Sequence, residues 1–218
     1  GEIRLTDQVF IYDANGNMTR KTVGTQITNY IFDIEDRLTR VENAEGSVIA
    51  EYYYDPFGRR LWKDIGGNRI YFHYADEGLV GEYNAAGTEI KTYGFAPGST
   101  WSTDPLFQKI GANYYWYQND HLGTPQKIVD SNGSIVWEAA YDAFGNVQIT
   151  VALIENNLRF PGQYYDGETG LYYNWNRYYD PLIGRYLRVD PFKEWLTQYV
   201  YVFSNPIVWI DPEGLHAA

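Results

Sequence analysis

Three stretches near the start of the chain repeat one pattern: FIYDANGNMTRKT at 10–22, YIFDIEDRLTRVE at 30–42 and YYYDPFGRRLWKD at 52–64. Each copy has aromatic residues, an aspartate and a few turn-forming residues, and then polar and apolar residues that alternate towards a basic one. The aspartates of successive copies are 20 and 22 residues apart. A regular period of this length indicates that one supersecondary unit is used repeatedly.

The repeated unit is predicted to be a β-hairpin. In the first copy, Tyr12 and Asp13 end a strand, residues 14–17 supply a turn, and MTRKTV at 18–23 alternates as a strand would. The short aspartate side chain is expected to accept hydrogen bonds from backbone amides of the turn. Stretches farther along, such as GEYNAAGTEIKTYGF at 81–95, show the same signs. The sequence therefore predicts an all-β chain.

The composition excludes several classes of protein. The chain has 218 residues with 22 Tyr, 10 Phe and 7 Trp, and aromatic residues at this density favour pleated strands. It has no cysteine, so no disulfide, thiolate nucleophile or Cys-based zinc site can form. A net charge of −11 argues against nucleic-acid binding. No apolar run approaches the ~18 residues of a membrane span. The three histidines lack the spacing of metal ligands, and we expect no metal and no cofactor.

Three segments resemble the Rhs/YD-repeat family. The tyrosine–aspartate repeats are similar to those of the family, and YQNDHLGTPQKIVDSNGSIVWEAAYDAFGNV at 117–147 is similar to its His-Leu-Gly-Thr-Pro segment. The stretch RFPGQYYDGETGLYYNWNRYYDPLIGRYLRVDP at 159–191 resembles the start of the Rhs core domain. NPIVWIDPEGL at 205–215 resembles the Asp-Pro-x-Gly-Leu signature that ends that domain. Together they span nearly the whole chain.

The resemblance implies an architecture shared with the C components of insecticidal toxin complexes and with teneurins. In these proteins, β-hairpins spiral into a hollow shell that a core domain caps. We accordingly expect YD-repeat hairpins over 1–115, an Rhs-type repeat segment over 116–158 and an Rhs core domain over 159–218. The chain is short for a closed shell. We therefore expect a curved, partial shell that further hairpins precede.

The resemblance also implies a function. In bacterial members of the family the shell holds a C-terminal toxin, and the core domain is an aspartic autoprotease that cuts after the leucine of Asp-Pro-x-Gly-Leu. Carried over to this sequence, the catalytic carboxylates are Asp190 and Asp211, and the supporting arginine is Arg177. The bond to be cut joins Leu215 to His216.

The sequence departs from the family pattern in two places. After the first Asp-Pro the family continues with Ile-Gly-Leu, whereas FKEWLTQ stands here at 192–198. Only three residues follow Leu215, so we expect the toxin segment to be missing. The partners implied are that C-terminal toxin, the upstream shell repeats, and a secretion-system or toxin-complex component. The resemblance implies a bacterial polymorphic toxin that is assembled in the cytoplasm and then secreted or delivered to a cell surface.

Chemistry alone gives the two aspartates a possible role in catalysis. Peptide hydrolysis by two carboxylates requires them to lie close enough to share a proton, so that one is ionised and the other protonated. Asp190 and Asp211 are 21 residues apart, and a loop or hairpin must bring them together. Within one chain a single turnover needs only modest catalysis, because the fold fixes the substrate in place.

A purely structural interpretation of the same residues remains open. Five of the nine prolines follow an aspartate, so Asp-Pro is a routine turn in this chain. Asp190 can cap a short helix that begins at Pro191 and continues through FKEWL at 192–196. Arg177 can be an ordinary ion-pair partner of Asp180 or Glu168.

The alternative function is that of a non-enzymatic structural module or a surface module that binds carbohydrate. Stacked aromatic side chains on an exposed sheet face can bind sugars, whereas rings that pair across neighbouring strands only stabilise the sheet. We favour cross-strand ladders. Rows of aromatic side chains that face solvent would favour the carbohydrate-binding module.

Overall fold

The computed structural model describes residues 1–5, 7–192, 198–215 and 217. The side chains of Arg4 and Leu5 are outside this description. Most of the helix predicted over 192–196 falls on residues that are not described, and so does His216, which follows the predicted cleavage site.

The described chain is all-β, as predicted, and forms two antiparallel sheets. In the first sheet fifteen strands follow one another in sequence order, each paired with its neighbours in the chain, and β1 does not pair with β15 among the described residues. The second sheet has four strands in sequence order. The strands are β1 (Glu2–Leu5), β2 (Gln8–Tyr12), β3 (Met18–Val23), β4 (Gln26–Phe32), β5 (Leu38–Asn43), β6 (Val48–Tyr54), β7 (Arg60–Ile65), β8 (Asn68–Ala75), β9 (Gly78–Asn84), β10 (Glu89–Phe95), β11 (Pro105–Ile110), β12 (Asn113–Asn119), β13 (Pro125–Val129), β14 (Ile135–Tyr141), β15 (Val147–Ala152), β16 (Tyr164–Asp166), β17 (Leu171–Asn174), β18 (Arg177–Asp180) and β19 (Arg185–Tyr186), and a 3₁₀ turn follows at Val202–Ser204.

One turn geometry recurs between the strands of the large sheet and confirms the predicted role of the aspartates. The side-chain Oδ1 atom accepts hydrogen bonds from the amides two and four residues later, at 2.8–3.1 Å. The third residue after it has a positive φ and is a glycine in all but one copy, where Asp36 stands. The residues that accept these bonds are Asp13, Asp33, Asn43, Asp55, Asn84, Asp120, Asp130 and Asp142.

The inner face of the large sheet carries a row of buried rings. Every even-numbered strand from β2 to β14 places at least one aromatic residue there with at most 9% of its surface exposed, and β6 places two. Because side chains alternate between the two faces of a strand, the repeat sets all of these rings on the same side. They are Phe10, Tyr30, Tyr52, Tyr54, Phe72, Tyr93, Tyr117 and Trp137.

The small sheet and the chain around it cover this inner face. Leu158, Tyr164, Leu171 and Tyr178 pack with the row of rings in one hydrophobic core. Since the large sheet wraps around this C-terminal part of the chain, its inner face is removed from water without the sheet closing on itself. The division into 1–115, 116–158 and 159–218 stays a prediction. The large sheet runs without a break from β1 to β15 and so crosses the expected boundary at 115.

A buried ion pair joins the two sheets. Arg60 stands where the two preceding repeats have Met18 and Leu38, five residues after the turn aspartate. Its guanidinium is fully buried and binds Asp166 of β16 through two nitrogens, at 2.5 and 3.0 Å. Five aromatic rings lie within 6.0 Å of its guanidinium carbon, including that of Tyr173 at 4.4 Å.

Lysines of the large sheet bind further carboxylates of the C-terminal part. Lys63 lies 3.0 Å from Asp166 and 3.1 Å from Glu168. Lys21, at the same repeat position two units earlier, forms an ion pair with Asp180. These contacts show that the inner face carries cations and that the chain covering it supplies the anions. No helix among the described residues is long and apolar enough to cross a membrane.

We predict that Asp166→Asn destabilises the protein by about 3–5 kcal/mol, because it leaves Arg60 and Lys63 buried without a full counter-charge. Urea unfolding followed by tryptophan fluorescence measures this loss. Glu51→Gln is the matched control, since both members of the Arg40–Glu51 pair are exposed, at 42% and 47%, and it should cost less than about 1 kcal/mol. Equal losses in the two variants would contradict this account.

The same pair makes stability depend on pH. Burial alone would raise the pKa of Asp166, but the charges of Arg60 and Lys63 outweigh burial and hold the pKa below its usual value. The pair's stabilisation is therefore complete above the unfolded-state pKa of about 4 and is lost as the pH falls through the lower, folded-state value.

Candidate active site

The structure brings together the three residues expected to form the site. One guanidinium nitrogen of Arg177, Nη2, lies 3.1 Å from Oδ2 of Asp190 and 3.0 Å from Oδ2 of Asp211. All three side chains are nearly removed from solvent: Arg177 is 3% exposed, Asp190 11% and Asp211 2%. The two carboxylates are therefore linked through one cation in a water-poor environment, where electrostatic interactions are strong.

Local structure fixes each of the three residues. Arg177 is the first residue of β18, which pairs with both neighbouring strands of the small sheet. Asp190 follows β19, and its backbone amide donates to the carbonyl of Gln198 at 2.9 Å. Its Oδ1 accepts from the amide of Phe192 at 2.9 Å, the contact expected of a capping or turn aspartate.

The loop that carries Asp211 shares part of its geometry with the hairpin turns. Oδ1 of Asp211 accepts from the amide of Leu215, four residues later, at 2.9 Å. Gly214, three residues after the aspartate, has φ +67° and donates to the Asp211 carbonyl at 3.4 Å. Asp55 and Gly58, in another Asp-Pro turn, make the same two kinds of contact. The turn interpretation and the catalytic interpretation of Asp211 are therefore compatible.

The turn between β17 and β18 holds this loop by its backbone. Asn174 Nδ2 donates to the Asp211 carbonyl at 2.8 Å. Asn176 donates to the carbonyl of Glu213 from its amide at 3.2 Å and from its side chain at 3.0 Å. Arg177 Nε donates to the carbonyl of Gly214 at 2.6 Å. We call residues 174–177 the clamp turn.

A tyrosine completes the surroundings of Asp211. The Tyr186 hydroxyl lies 2.7 Å from Oδ2 of Asp211 and 2.8 Å from Nδ2 of Asn174. The Arg177 guanidinium carbon lies 3.7 Å from the centre of the Tyr186 ring. Burial and the charge of Asp211 raise the pKa of Tyr186 well above its usual value, so its hydroxyl stays protonated.

The alternative partners proposed for Arg177 are occupied by other cations. Asp180 pairs with Lys21, and Glu168 pairs with Lys63. The expected pairing of Arg177 with Asp180 or Glu168 is therefore wrong. Its carboxylate partners are Asp190 and Asp211. No cluster of three or more His, Asp or Glu able to hold a metal ion occurs in the part of the chain that the structure describes.

A comparison with protein families identifies the fold. The Teneurin YD-shell family profile matches residues 2–207. The chain belongs to the teneurin YD-shell family. The expected resemblance to YD-repeat shell proteins is confirmed, while the placing of an Rhs core domain at 159–218 stays a prediction.

Two bacterial relatives match almost the whole of this YD-shell chain. The double-stranded DNA deaminase toxin A of Burkholderia cenocepacia is 32% identical over 96% of the chain and 17% of its own length. The tRNA3(Ser)-specific nuclease WapA of Bacillus spizizenii is 34% identical over 97% of the chain and 9% of its own length. The chain therefore spans less than a fifth of either relative.

A solved structure has the same fold. The Photorhabdus luminescens Tc holotoxin pore, carrying a mutation in TccC3, matches with a TM-score of 0.72 and 22% identity. The match covers 95% of this YD-shell chain and 11% of that chain. This similarity shows the fold, including its open, all-β arrangement.

Four residues at the site were missed by the sequence analysis. Asn174, Asn176 and Tyr186 bind the loop or Asp211, and Gly162 lies so close that a Cβ there would stand 1.9 Å from the Pro212 carbonyl oxygen. The two asparagines that flank Trp175, in NWN at 174–176, stand out in a segment otherwise rich in tyrosine and could have indicated this turn. Tyr186 gave none, because it is one of 22 tyrosines.

We predict that Gly214→Ala destabilises the YD-shell chain more than Gly133→Ala does. Both glycines have positive φ, but an added Cβ at Gly214 would lie 2.3 Å from the Asn174 carbonyl oxygen, whereas nothing lies within 4 Å at Gly133. The backbone cost of about 1–2 kcal/mol is common to both variants. Urea unfolding measures the excess at Gly214, and equal costs would contradict the close approach of the loop to the clamp turn.

Proposed function

We propose that this chain is the C-terminal part of a toxin-encapsulating shell and that it cuts its own backbone once, between Leu215 and His216. Asp190 and Asp211 form the acid–base pair, and Arg177 supports them. Cleavage would separate the shell from a toxin that follows Leu215 in the complete protein.

One observation carries the proposal: Arg177 contacts both carboxylates and also binds residues 211–215, which we call the cleavage loop. Its Nη2 atom binds Asp190 and Asp211, and its Nε atom binds the carbonyl of Gly214, the residue before Leu215. A single side chain thus links the acid–base pair to the peptide group that immediately precedes the one it would cut. Such fixed placement supplies much of what an intramolecular reaction needs.

The chemistry follows the pattern of two carboxylates that share the work of acid and base. The ionised carboxylate removes a proton from water, and the water oxygen bonds to the carbonyl carbon of Leu215. The protonated carboxyl polarises the carbonyl oxygen and stabilises the tetrahedral intermediate, as does the charge of Arg177. The bond to the nitrogen of His216 then breaks, and that nitrogen leaves as an amine after taking up a proton.

The relatives support a role in packaging rather than in the toxic activity itself. The two proteins are named for different activities, DNA deamination and cleavage of one tRNA. The segment that this chain shares with them is less than a fifth of each protein. A segment common to proteins of different activity is better suited to a shared task, such as holding and releasing the toxin.

The partners and location follow from the same role. We propose that upstream repeats extend the shell, that the downstream toxin is its cargo, and that a secretion system or toxin-complex component handles the assembly. The similarity in fold to the Tc holotoxin structure supports the last of these. The protein would be assembled in the cytoplasm of a bacterium and then secreted or delivered to the surface of another cell.

We predict that this chain, fused after Ala218 to a folded reporter, releases the reporter with His216 as its first residue. Asp190→Asn and Asp211→Asn should each abolish release, because either change removes one member of the acid–base pair. Intact mass spectrometry of the purified fusion measures both products. A folded parent that stays uncut would contradict self-cleavage.

Asp55→Asn is the control for these two variants. Asp55 accepts from the amide four residues later, as Asp211 does, and also precedes a proline. Asparagine fills this turn position naturally at Asn43 and Asn84. Release by Asp55→Asn at the parent rate would show that the other two losses come from the site and not from a weakened turn.

One feature of the outer face favours a second candidate function, carbohydrate binding. Tyr114 and Trp116 of β12 lie 6.1 Å apart with ring planes inclined by 19°, and each is 45% exposed. Other outward rings pair across strands, as we expected of rings that stabilise the sheet. Tyr53 stacks at 5.5 Å on its cross-strand partner Trp62, and the Trp62 ring also contacts Arg69. The candidate therefore rests on the Tyr114–Trp116 platform.

If the platform binds sugar, oligosaccharides of glucose or N-acetylglucosamine will change the tryptophan fluorescence of the chain. Trp116→Ala should then weaken binding at least tenfold, because stacking on the ring would be lost. Tyr53→Ala, which removes an exposed ring on another strand, should leave binding unchanged. Absence of binding to either sugar series would remove this candidate and leave the rings as structural pairs.

A further inference from the structure

The pair of carboxylates requires one ionised and one protonated member, and the hydrogen bonds around Asp211 indicate which is which. This inference rests on the proposed self-cleavage for its catalytic meaning. Its physical content, the ionisation of one carboxylate, can be measured separately.

The orientation of Asn174 is fixed first. Its Nδ2 atom lies 2.8 Å from the backbone carbonyl of Asp211. A peptide carbonyl can only accept a hydrogen bond, so the atom facing it must be the amide nitrogen. The same nitrogen also lies 2.8 Å from the Tyr186 hydroxyl and therefore donates to it.

The direction of the Tyr186 hydroxyl follows. Its oxygen accepts from Asn174, which leaves its own hydrogen for the oxygen 2.7 Å away, Oδ2 of Asp211. The raised pKa of Tyr186, caused by burial and by the charge of Asp211, keeps this hydrogen in place. Oδ2 of Asp211 is thus an acceptor.

Asp211 is also the hydrogen-bond acceptor in its other described contacts. Arg177 donates to Oδ2 at 3.0 Å, and the amide of Leu215 donates to Oδ1 at 2.9 Å. Guanidinium and amide nitrogens cannot accept, so both carboxylate oxygens serve as acceptors. Asp190 accepts from Arg177 and from the amide of Phe192. Hydrogen bonds to the charged form favour it, and Asp211 has three such donors where two are described for Asp190.

The titratable groups described around Asp211 do not reverse the preference for its ionised form. Burial of Asp211 disfavours its charge, and the Arg177 cation offsets that cost at contact distance. Among the residues that the structure describes, further groups near Asp211 or Tyr186 come from the small sheet and from the segments around it. They include Asp190, Tyr179 and Tyr201.

We propose that Tyr186, oriented by Asn174, is a positioning residue that keeps Asp211 as the ionised, water-activating carboxylate and leaves Asp190 as the proton donor. Tyr186 acts through Asp211 and touches no reacting atom. The relay runs from the backbone carbonyl of the cleavage loop through Asn174 and Tyr186 to the carboxylate. Correct seating of the loop therefore sets the protonation pattern of the site.

The pH dependence of the single-turnover rate tests the proposal in the reporter fusion. The rate falls at low pH as the base takes up a proton, and Tyr186→Phe removes one donor from that base. The midpoint of this acidic limb should rise by about one pH unit. Tyr179→Phe is the matched control: it also loses a hydroxyl in the same ring cluster, but that hydroxyl binds the carbonyl of Phe144, at 2.7 Å. It should leave the midpoint unchanged.

A second measurement does not depend on cleavage. Carbonyl-¹³C NMR of selectively labelled Asp190→Asn protein follows the titration of the Asp211 carboxyl directly. Adding Tyr186→Phe should raise the midpoint by about one pH unit, and adding Tyr179→Phe should not. Asn174→Leu, which removes the donor to Tyr186 without adding a charge, should shift the midpoint in the same direction as Tyr186→Phe.

The outcomes separate the two proposals. A raised midpoint in both measurements supports the assignment. An Asp211 midpoint that Tyr186→Phe leaves unchanged by NMR overturns it, whether or not the parent cuts itself, and so does a rate lowered equally at every pH. An uncut parent with a raised NMR midpoint overturns self-cleavage while supporting the assignment of the ionised carboxylate.

Discussion

The buried contact between Arg60 and Asp166 is the constraint on which the arrangement of this chain depends. A sheet of fifteen strands with an apolar inner face needs a cover, and hydrophobic burial alone does not specify how the cover is placed. A guanidinium with no access to water does specify it, because only a carboxylate in the right place offsets the cost of its burial. Arg60 thereby fixes β16, and the clamp turn and Tyr186 follow from the register of the small sheet.

The repeated turn provides both the architecture and the candidate chemistry. At the hairpins an aspartate or asparagine satisfies two backbone amides, and the second oxygen of Asp33 and of Asp55 also pairs with an arginine of its own turn. At Asp211 the same turn lies against Arg177 and Tyr186, and its second carboxylate oxygen meets a cation and a hydroxyl. A catalytic carboxylate can thus arise from a turn that the fold already uses. What distinguishes it is the strand packed beside it, and not the turn sequence.

This difference explains how much the sequence could predict. The hairpins, the turn aspartates and the all-β class followed from a local pattern whose period is visible in the letters. Asp190, Asp211 and Arg177 were named through a family resemblance, since nothing in a 21-residue spacing shows that two side chains meet. Arg60 was visible as a break in the repeat, where Met18 and Leu38 stand in earlier copies. Its partner was not, because Asp166 lies in a different sheet more than a hundred residues away.

The described contacts between the clamp turn and the cleavage loop involve residues that precede the proposed cut. These contacts are made with the backbone of residues 211–214 and, through Arg177, with the side chain of Asp211. Recognition through backbone carbonyl groups sets few limits on the side chains of the loop. Under the proposed self-cleavage, genes that exchanged the sequence after Ala218 would keep all of these contacts. In evolutionary terms, such a device would suit a constant shell that is joined to a changing series of cargoes.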